Sequence, residues 1–156
     1  MAVRLFYQGT SINLKDRNKL KSFVSSIFIL ERKELISLQI VFCTDEYLLS
    51  INRRFLKHDY YTDIITFNLS EGTGGIEGEI YISTNRVKEN AKEMHISLRE
   101  EIHRVIFHGV LHLCGYKDKT RKDSINMRAA EEKYLGLYFS NVPRITVSWR
   151  NIKKNA

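Results

Sequence analysis

Two histidines at helical spacing and a following aspartate are the residues of this sequence best suited to chemistry. His108 and His112 lie in the segment HGVLHLCGYKDK, and Asp118 follows a few residues later. On an α-helix, side chains four residues apart lie on one face, with about 5–6 Å between their Cβ atoms. Both imidazoles can therefore bind one metal ion. Gly115 is the residue type that most readily ends a helix, so the chain can turn back and bring Asp118 to the same ion.

This pattern predicts a zinc site with three protein ligands. Imidazole nitrogen and carboxylate oxygen are common zinc ligands, and three of them leave the fourth position of a tetrahedral site open for water. Zinc lowers the pKa of a bound water to about 7 and can polarise a phosphoryl oxygen. We therefore expect one Zn²⁺ per chain and hydrolytic chemistry. The alternative is that the two histidines only line a buried helix face and that Asp118 is a turn residue.

A metalloprotease is one enzyme class with this histidine spacing. Zinc proteases place a glutamate directly after the first histidine, where it acts as the general base. Here that position is Gly109, which can carry no proton. Met127 could be compared with the Met-turn of some of these proteases, but a methionine in an amphipathic helix is more typical of core packing. The sequence therefore disfavours a protease.

The elements that position these residues alternate between strands and helices, which predicts an α+β fold. Apolar alternation and β-branched runs predict strands, and the 3.6-residue period predicts helices. The predicted strands are 3–8, 35–44, 62–69 and 79–83, and the predicted helices are 13–30, 45–56, 84–94, 97–114 and 122–135. Asn13, Asp45 and Ser97 are the predicted N-caps. We expect a small mixed sheet of about four strands packed against helices, with the metal site on and just after a central helix.

Length and composition indicate one soluble domain over residues 1–156, with a short basic tail from about residue 144. The chain is long enough for one core, and 43% hydrophobic with 28% charged residues is ordinary for a globular protein. No apolar run approaches the roughly 20 residues of a membrane span. The N-terminus lacks the apolar segment of a secretory signal. Two cysteines without metal-site or disulfide-type spacing, Cys43 and Cys114, suit a reducing compartment, so we expect a cytoplasmic protein.

The net charge of +7 favours an anionic partner, and nucleic acid is the commonest one. One basic cluster surrounds Asp118, a second precedes the strand predicted from residue 62, and a third lies in the tail, where a solvated surface is the first interpretation. The clusters consist of Lys117, Lys119, Arg121 and Lys122; of Arg53, Arg54, Lys57 and His58; and of Arg144, Arg150, Lys153 and Lys154. Tyr60, Tyr61 and Tyr116 lie near the first two clusters and could stack on unpaired bases.

Several motifs together resemble the YbeY family of bacterial endoribonucleases, the ribosomal RNA maturation factors. The family signature is His-Gly-x-Leu-His-Leu-x-Gly-Tyr-Asp-His, and this sequence is in step with it at His108, Gly109, Leu111, His112, Leu113, Gly115 and Tyr116. The segment INRRFLKHDYYTDIITF (51–67) is similar to the family's Asn-x-x-Tyr-Arg run leading into Thr-Asp-Val-Leu-Ser-Phe. EGEIYIS (77–83) resembles its Gly-Asp-Ile strand, and Glu131 has a family counterpart.

The resemblance implies a zinc-dependent, single-strand-specific endoribonuclease that acts in ribosomal RNA maturation, ribosome biogenesis and quality control. Its expected partners are single-stranded or ribosomal RNA and the small ribosomal subunit, with no membrane and no DNA partner. The sequence departs from the family at two positions. Asp118 replaces the third histidine ligand, and Leu56 replaces an arginine that is implicated in the family's RNA cleavage.

Another cation could take the place of that arginine. We predict a catalytic set of His108, Arg104 and Lys57, in which the last two bind the scissile phosphate. Arg104 lies one helical turn before His108, and Lys57 directly follows Leu56. An equally supported interpretation is that Arg104 forms an ion pair with Glu100 or Glu101. The alternative function is a ribosome-associated RNA-binding assembly factor without catalysis, in which zinc is structural.

Overall fold

The computed structural model describes residues 2–72 and 74–140. Within these residues the chain forms four strands and five helices, which confirms the expected α+β domain with a four-stranded mixed sheet. The basic tail expected from about residue 144 lies outside the described residues, so the extent of the domain to residue 156 stays a prediction. Among the described helices, none combines the length and apolar character needed to pass through a bilayer.

Segments rich in β-branched and aromatic residues form the strands, as their β propensity predicts. The strands are β1 (Val3–Gln8), β2 (Leu35–Cys43), β3 (Ile64–Asn68) and β4 (Ile76–Ser83). β1 and β4 both pair parallel with β2, whereas β3 pairs antiparallel with β4, which gives the order β1-β2-β4-β3. Parallel neighbours cannot be joined by a tight hairpin, so helices connect them.

The helix that carries the two histidines is the central one. The helices are α1 (Arg17–Leu30), α2 (Asp45–Leu56), α3 (Thr84–Met94), α4 (Leu98–Leu113) and α5 (Arg121–Phe139). α4 packs against α1, α3, α5, β3 and β4. It is apolar around most of its circumference, and Ile106, Phe107, Val110 and Leu111 have no exposed surface. This burial matches a helix enclosed by other elements rather than a surface helix.

A glycine lets α4 approach the sheet closely next to the first histidine. A Cβ atom at Gly109 would lie 2.8 Å from Cδ1 of Ile64 and 3.0 Å from Cδ1 of Ile80. Both distances are shorter than an ordinary van der Waals contact between carbon atoms. The position that carries the general base in zinc proteases therefore has no room for a glutamate side chain in this fold.

The first helix begins later than predicted, and Asn13 is not its cap. α1 starts at Arg17 after Asp16. The preceding residues are extended, so that Ile12 and Leu14 are each only 6% exposed while Asn13 faces solvent. In this extended segment, Ile12 and Leu14 point to the core side while Asn13 points to solvent.

Other caps and boundaries differ from the prediction by a few residues, including those of β3, which spans Ile64–Asn68 rather than 62–69. Thr44, not Asp45, caps α2, because the Oγ1 of Thr44 accepts a hydrogen bond of 3.1 Å from the backbone N–H of Tyr47. β4 begins at Ile76 rather than 79, since its pairing with β2 continues through the glycine-rich segment. α5 extends to Phe139, beyond the predicted end at about 135. The predicted bounds of β1, α2 and α3 are confirmed.

Candidate metal centre

The end of α4 reverses the chain just after the second histidine. The N–H of Gly115 donates to the carbonyl of His112, and the N–H of Tyr116 donates to the carbonyl of Leu111, each at 3.0 Å. These two bonds form a Schellman motif, which needs a left-handed residue at its turn. Gly115 supplies this residue with a φ of 106°. The following residues therefore run back along the helix and bring Asp118 beside the histidines.

The three predicted ligands converge at this point. Nε2 of His112 lies 3.0 Å from Nε2 of His108 and 3.1 Å from Oδ2 of Asp118. The third edge, from Nε2 of His108 to Oδ2 of Asp118, is 3.3 Å. Zinc ligands at about 2.0–2.1 Å in a tetrahedral arrangement lie about 3.3 Å from one another. The spacing of these three atoms therefore fits a zinc-sized ion, and within the described residues they are the one such group.

Hydrogen bonds to the other ring nitrogens fix the orientation of both imidazoles. Nδ1 of His112 is 3.0 Å from the carbonyl oxygen of Tyr116, and Nδ1 of His108 is 2.8 Å from Oε2 of Glu131. Carbonyl and carboxylate oxygens accept, so each Nδ1 carries the proton and each Nε2 is left as a lone pair. Metal-ligating histidines in proteins almost always have such a partner on their second nitrogen. The two histidines thus suit a metal ion in two ways: the proton on Nδ1 leaves the Nε2 lone pair free to bind it, and the ligand atoms lie at a suitable separation.

Glu131 is buried and controls the electrostatics of His108. Its exposed fraction is 5%. Burial alone lowers the pKa of His108, but the hydrogen bond and charge of Glu131, with the charges of Asp118 and Asp63, outweigh it and raise the pKa above its ordinary value. A positive charge at His108, or on an ion bound next to it, is therefore stabilised by this environment.

Arg104 lies one turn before His108 as predicted, but its guanidinium contacts carboxylates. Its Nη1 donates to Oε1 of Glu132 at 3.0 Å and lies 3.7 Å from Oε1 of Glu131, while its Nη2 lies 3.6 Å from Oε1 of Glu100. The side chain is 10% exposed. The observed contacts include the predicted partner Glu100. They make Arg104 a support for Glu131, and a direct role at a phosphate stays a prediction.

Tyr116 ties the metal-site loop to the rest of the domain. Its hydroxyl donates to Oε1 of Glu31 at 3.0 Å, and the hydroxyl of Tyr134 donates to the same oxygen at 2.8 Å. Burial, together with Glu31, raises the pKa of Tyr116 to about 12. The ring is partly buried and packs against the hydrophobic core, which favours a packing role over the stacking on a base that the sequence suggested. Its carbonyl and hydroxyl instead connect His112 to α1 and α5.

Two depressions flank His108 and Asp118. The first, here called the cavity, encloses about 620 Å³ between α3, α4 and α5 and includes Asp63, Glu101 and Arg104 in its lining. The second, here called the groove, has a volume of about 520 Å³ and is also lined by His112. The other side chains of the groove used below are Asn52, Leu56, His58, Tyr60 and Lys119. Lys57 lines neither depression; it is exposed at the C-cap of α2.

Glu101 is an acidic side chain of the cavity that the sequence did not single out as a titrating group. It is 3% exposed, and its Oε2 has no hydrogen-bond partner among the described residues. Burial raises the pKa of Glu101 to about 7. Cys114 is buried, burial raises its pKa to about 12, and it lies outside the ligand group. Met127 is 2% exposed and packs in the core.

Comparison with known proteins agrees with this geometry. A family model described as endoribonuclease YbeY matches residues 7–138. A protein of Cytophaga hutchinsonii named endoribonuclease YbeY is 49% identical over 132 residues, which cover 85% of this chain and 92% of the relative. Proteins of the same name from Flavobacterium psychrophilum and Porphyromonas gingivalis are 43% and 41% identical, cover 94% and 87% of their own lengths, and each match 85% of this chain.

A solved structure has the same fold. The solution structure of TM1509 from Thermotoga maritima matches with a TM-score of 0.55 and 25% identity, covering 97% of this chain and 93% of that one. The family model spans most of the sequence, and the relatives match over most of their own lengths. The chain therefore belongs to the endoribonuclease YbeY family of hydrolytic nucleases.

Proposed function

We propose that this protein is a zinc-dependent endoribonuclease that cleaves single-stranded RNA during ribosomal RNA maturation, with His108, His112 and Asp118 holding one Zn²⁺. The observation that carries the proposal is the convergence of three ligand atoms 3.0–3.3 Å apart, with both Nδ1 atoms engaged elsewhere. Family membership supports the RNA substrate. When bound, the ion would supply a Lewis acid that activates water and polarises a phosphoryl oxygen.

The protein's own side chains would orient the metal ligands and offset the negative charge of the phosphate. Glu131 and the carbonyl of Tyr116 hold the two imidazoles in the tautomer that exposes Nε2. Lys119 lines the groove beside Asp118 and can attract a phosphate there. Arg104 faces the cavity, and its proposed role at the scissile phosphate requires it to exchange Glu132 for the substrate. Lys57 would act from outside the groove.

The proposed place of action is the cytoplasm, on the small ribosomal subunit and its RNA. The net charge of +7 suits a polyanionic substrate. The two cysteines are both free and buried in the described structure, which suits a reducing compartment. Neither DNA nor a membrane is a proposed partner.

Metal analysis and an RNA-cleavage assay test the proposal together. Purified protein should contain one zinc per chain, cleave an unstructured labelled RNA, lose this activity in a chelator and regain it with zinc. A fully paired RNA and a DNA of the same sequence should stay intact. Cleavage that persists in metal-free protein would contradict the role of the ion.

Variants of the proposed phosphate-binding residues test the catalytic set. Arg104→Ala and Lys57→Ala, alone and combined, should slow cleavage while the zinc content stays at one per chain. Unchanged cleavage in the double variant would remove both residues from the mechanism.

An RNA-binding assembly factor with structural zinc is the second candidate. Leu56, which stands where the family resemblance places a catalytic arginine, favours it. This function predicts tight, salt-sensitive binding of RNA without cleavage in the same assay. The protease is not proposed, because Gly109 leaves no space for a general base.

A further inference from the structure

We propose that the groove binds one unpaired nucleobase of the RNA, stacked on the ring of Tyr60 next to the nucleotide at the metal centre. This inference rests on the proposed RNA substrate and names the subsite that would receive it.

The ring of Tyr60 is exposed and held in place. It is 57% exposed, and it stacks on the ring of His58 with 5.1 Å between centroids and an interplanar angle of 19°. A hydrogen bond of 2.9 Å joins its hydroxyl to Nδ1 of His58. The backbone is anchored as well, since Nδ2 of the buried Asn52 donates to the carbonyl of Tyr60 at 2.9 Å. A pre-ordered aromatic face loses little conformational entropy when a base stacks on it.

The platform is continuous with the metal centre. Tyr60, His108, His112 and Asp118 all line the same groove. Its volume of about 520 Å³ lies within the range of about 300–1,000 Å³ that is typical of small-ligand sites. A nucleotide whose base rests on Tyr60 would therefore lie in the same groove as the three ligand side chains.

The surroundings of the platform suit a base attached to a polyanion. Leu56 also lines the groove and is 40% exposed, so that an apolar surface lies where the family resemblance places an arginine. Lys119 lines the groove, and Arg54 and Lys57 are exposed at the end of α2. Aromatic platforms combined with cations are the usual means by which proteins bind single-stranded nucleic acid. Leu56 thus adds an exposed apolar surface to a groove that also carries a cation.

A binding experiment with a matched control tests the subsite. Zinc-loaded protein is titrated into a fluorescent single-stranded RNA with phosphorothioate linkages, which resist hydrolysis, and the Kd is read by anisotropy. Tyr60→Ala should raise the Kd by roughly 5- to 150-fold, the range typical of losing one base stack. Tyr60→Phe and Tyr60→Trp should stay within about twofold, because they keep an aromatic face.

Tyr61→Ala is the control. The sequence suggested Tyr61 for stacking as well, and it is 46% exposed. Its hydroxyl, however, donates to Glu46, its ring lies under Arg86, and it does not line the groove, so it is outside the proposed subsite. This variant should bind RNA as the parent does. The slope of log Kd against log salt concentration should be the same in Tyr60→Ala as in the parent protein, since stacking releases no counterions. The slope should become shallower in Lys119→Ala, because one phosphate contact is lost.

The outcomes separate this proposal from the proposed function. Binding that depends on Tyr60 without any cleavage of ordinary RNA would support the subsite and contradict the nuclease. Three results would overturn the subsite: no binding of single-stranded RNA, an unchanged Kd in Tyr60→Ala, or an equal loss in Tyr61→Ala. Melting temperatures of the variants confirm that each one is folded.

Discussion

As a ligand of the proposed metal centre, Asp118 would contribute a negative charge that an imidazole cannot. A carboxylate neutralises one positive charge of the ion, whereas histidine is a neutral ligand. Lys117 and Lys119 flank Asp118 in the sequence, and Lys119 faces the groove. In the proposed site, the two lysines would restore a positive electrostatic potential for a phosphate substrate next to an acidic ligand.

Substitution of Asp118 tests the three-ligand assignment. Asp118→Ala leaves two histidines, which cannot hold zinc firmly, so the metal content should fall well below one per chain. Asp118→His should keep about one zinc, because an imidazole nitrogen reaches a similar distance. Atomic absorption after dialysis measures both, and Asp59→Ala, at an exposed aspartate paired with Arg53, is the control. Stoichiometric zinc in Asp118→Ala would show that Asp118 is only a turn residue.

At the scale of elements, the metal-site loop depends on contacts with α1 and α5. Tyr116 receives the Nδ1–H of His112 on its carbonyl and binds Glu31 through its hydroxyl. Loss of a group that orients a metal ligand typically weakens metal affinity by about 10- to 100-fold. The chain of contacts from Glu31 through Tyr116 to His112 should therefore influence how tightly zinc is held.

We expect Tyr116→Phe to lower zinc affinity by about tenfold, near the lower end of that range, because the backbone carbonyl remains but its anchor is lost. Competition with a chromophoric chelator measures the affinity. Tyr134→Phe removes a hydrogen bond from the same oxygen of Glu31 outside the loop, and it should lower stability with little effect on zinc. Adding Glu31→Ala to Tyr116→Phe should weaken zinc binding no further. A fully additive loss of zinc affinity in the double variant would show that Glu31 does not act on His112 through Tyr116.

Alanine substitution at two helix glycines, one facing the sheet and one in open space, should change stability in opposite directions. Gly109→Ala would press a methyl group against Ile64 and Ile80, so the free energy of unfolding should fall by about 1–3 kcal/mol. Gly136 in α5 has nothing within 4 Å of its Cβ position. Gly136→Ala should therefore raise the free energy of unfolding by up to about 1 kcal/mol through helix propensity. Urea denaturation measures both, and a stabilising Gly109→Ala would contradict the close approach.

At the scale of the whole molecule, the buried Glu101 links global stability to pH. Its pKa is about 7 in the folded protein and near 4.5 in a solvated chain. Between these values the unfolded chain releases a proton that the folded protein keeps, so this group lowers the free energy of unfolding as pH rises from about 4.5 to about 7. Above pH 7 both states are ionised and its contribution is constant.

Glu101→Gln should remove this dependence on pH. The free energy of unfolding of the variant minus that of the parent protein should increase between pH 4.5 and pH 8, by on the order of 3 kcal/mol at most. Urea denaturation across this range measures the difference. A difference that stays flat with pH would show that Glu101 titrates normally.

Local sequence determined most of the elements and the proposed ligand set. The period of apolar residues and the capping residue Ser97 predicted α4, and the extended alternation predicted β1 at its observed bounds. The convergence of His108, His112 and Asp118 also followed from local rules, since all three lie within eleven consecutive residues around one helix end. Helical spacing and a glycine turn depend on neighbouring residues alone, so they can be predicted from the chain without its fold.

Contacts between distant segments were decided only by the tertiary structure. Glu131 lies on α5 and Glu31 at the end of α1, and no spacing relates either one to the histidines that they orient. The late start of α1 and the acidic partners of Arg104 likewise depend on which surfaces the core covers. Sequence therefore determined which atoms could bind a metal, and the packing of α1, α4 and α5 decided how those atoms are held, because that packing brings together groups from separate parts of the chain.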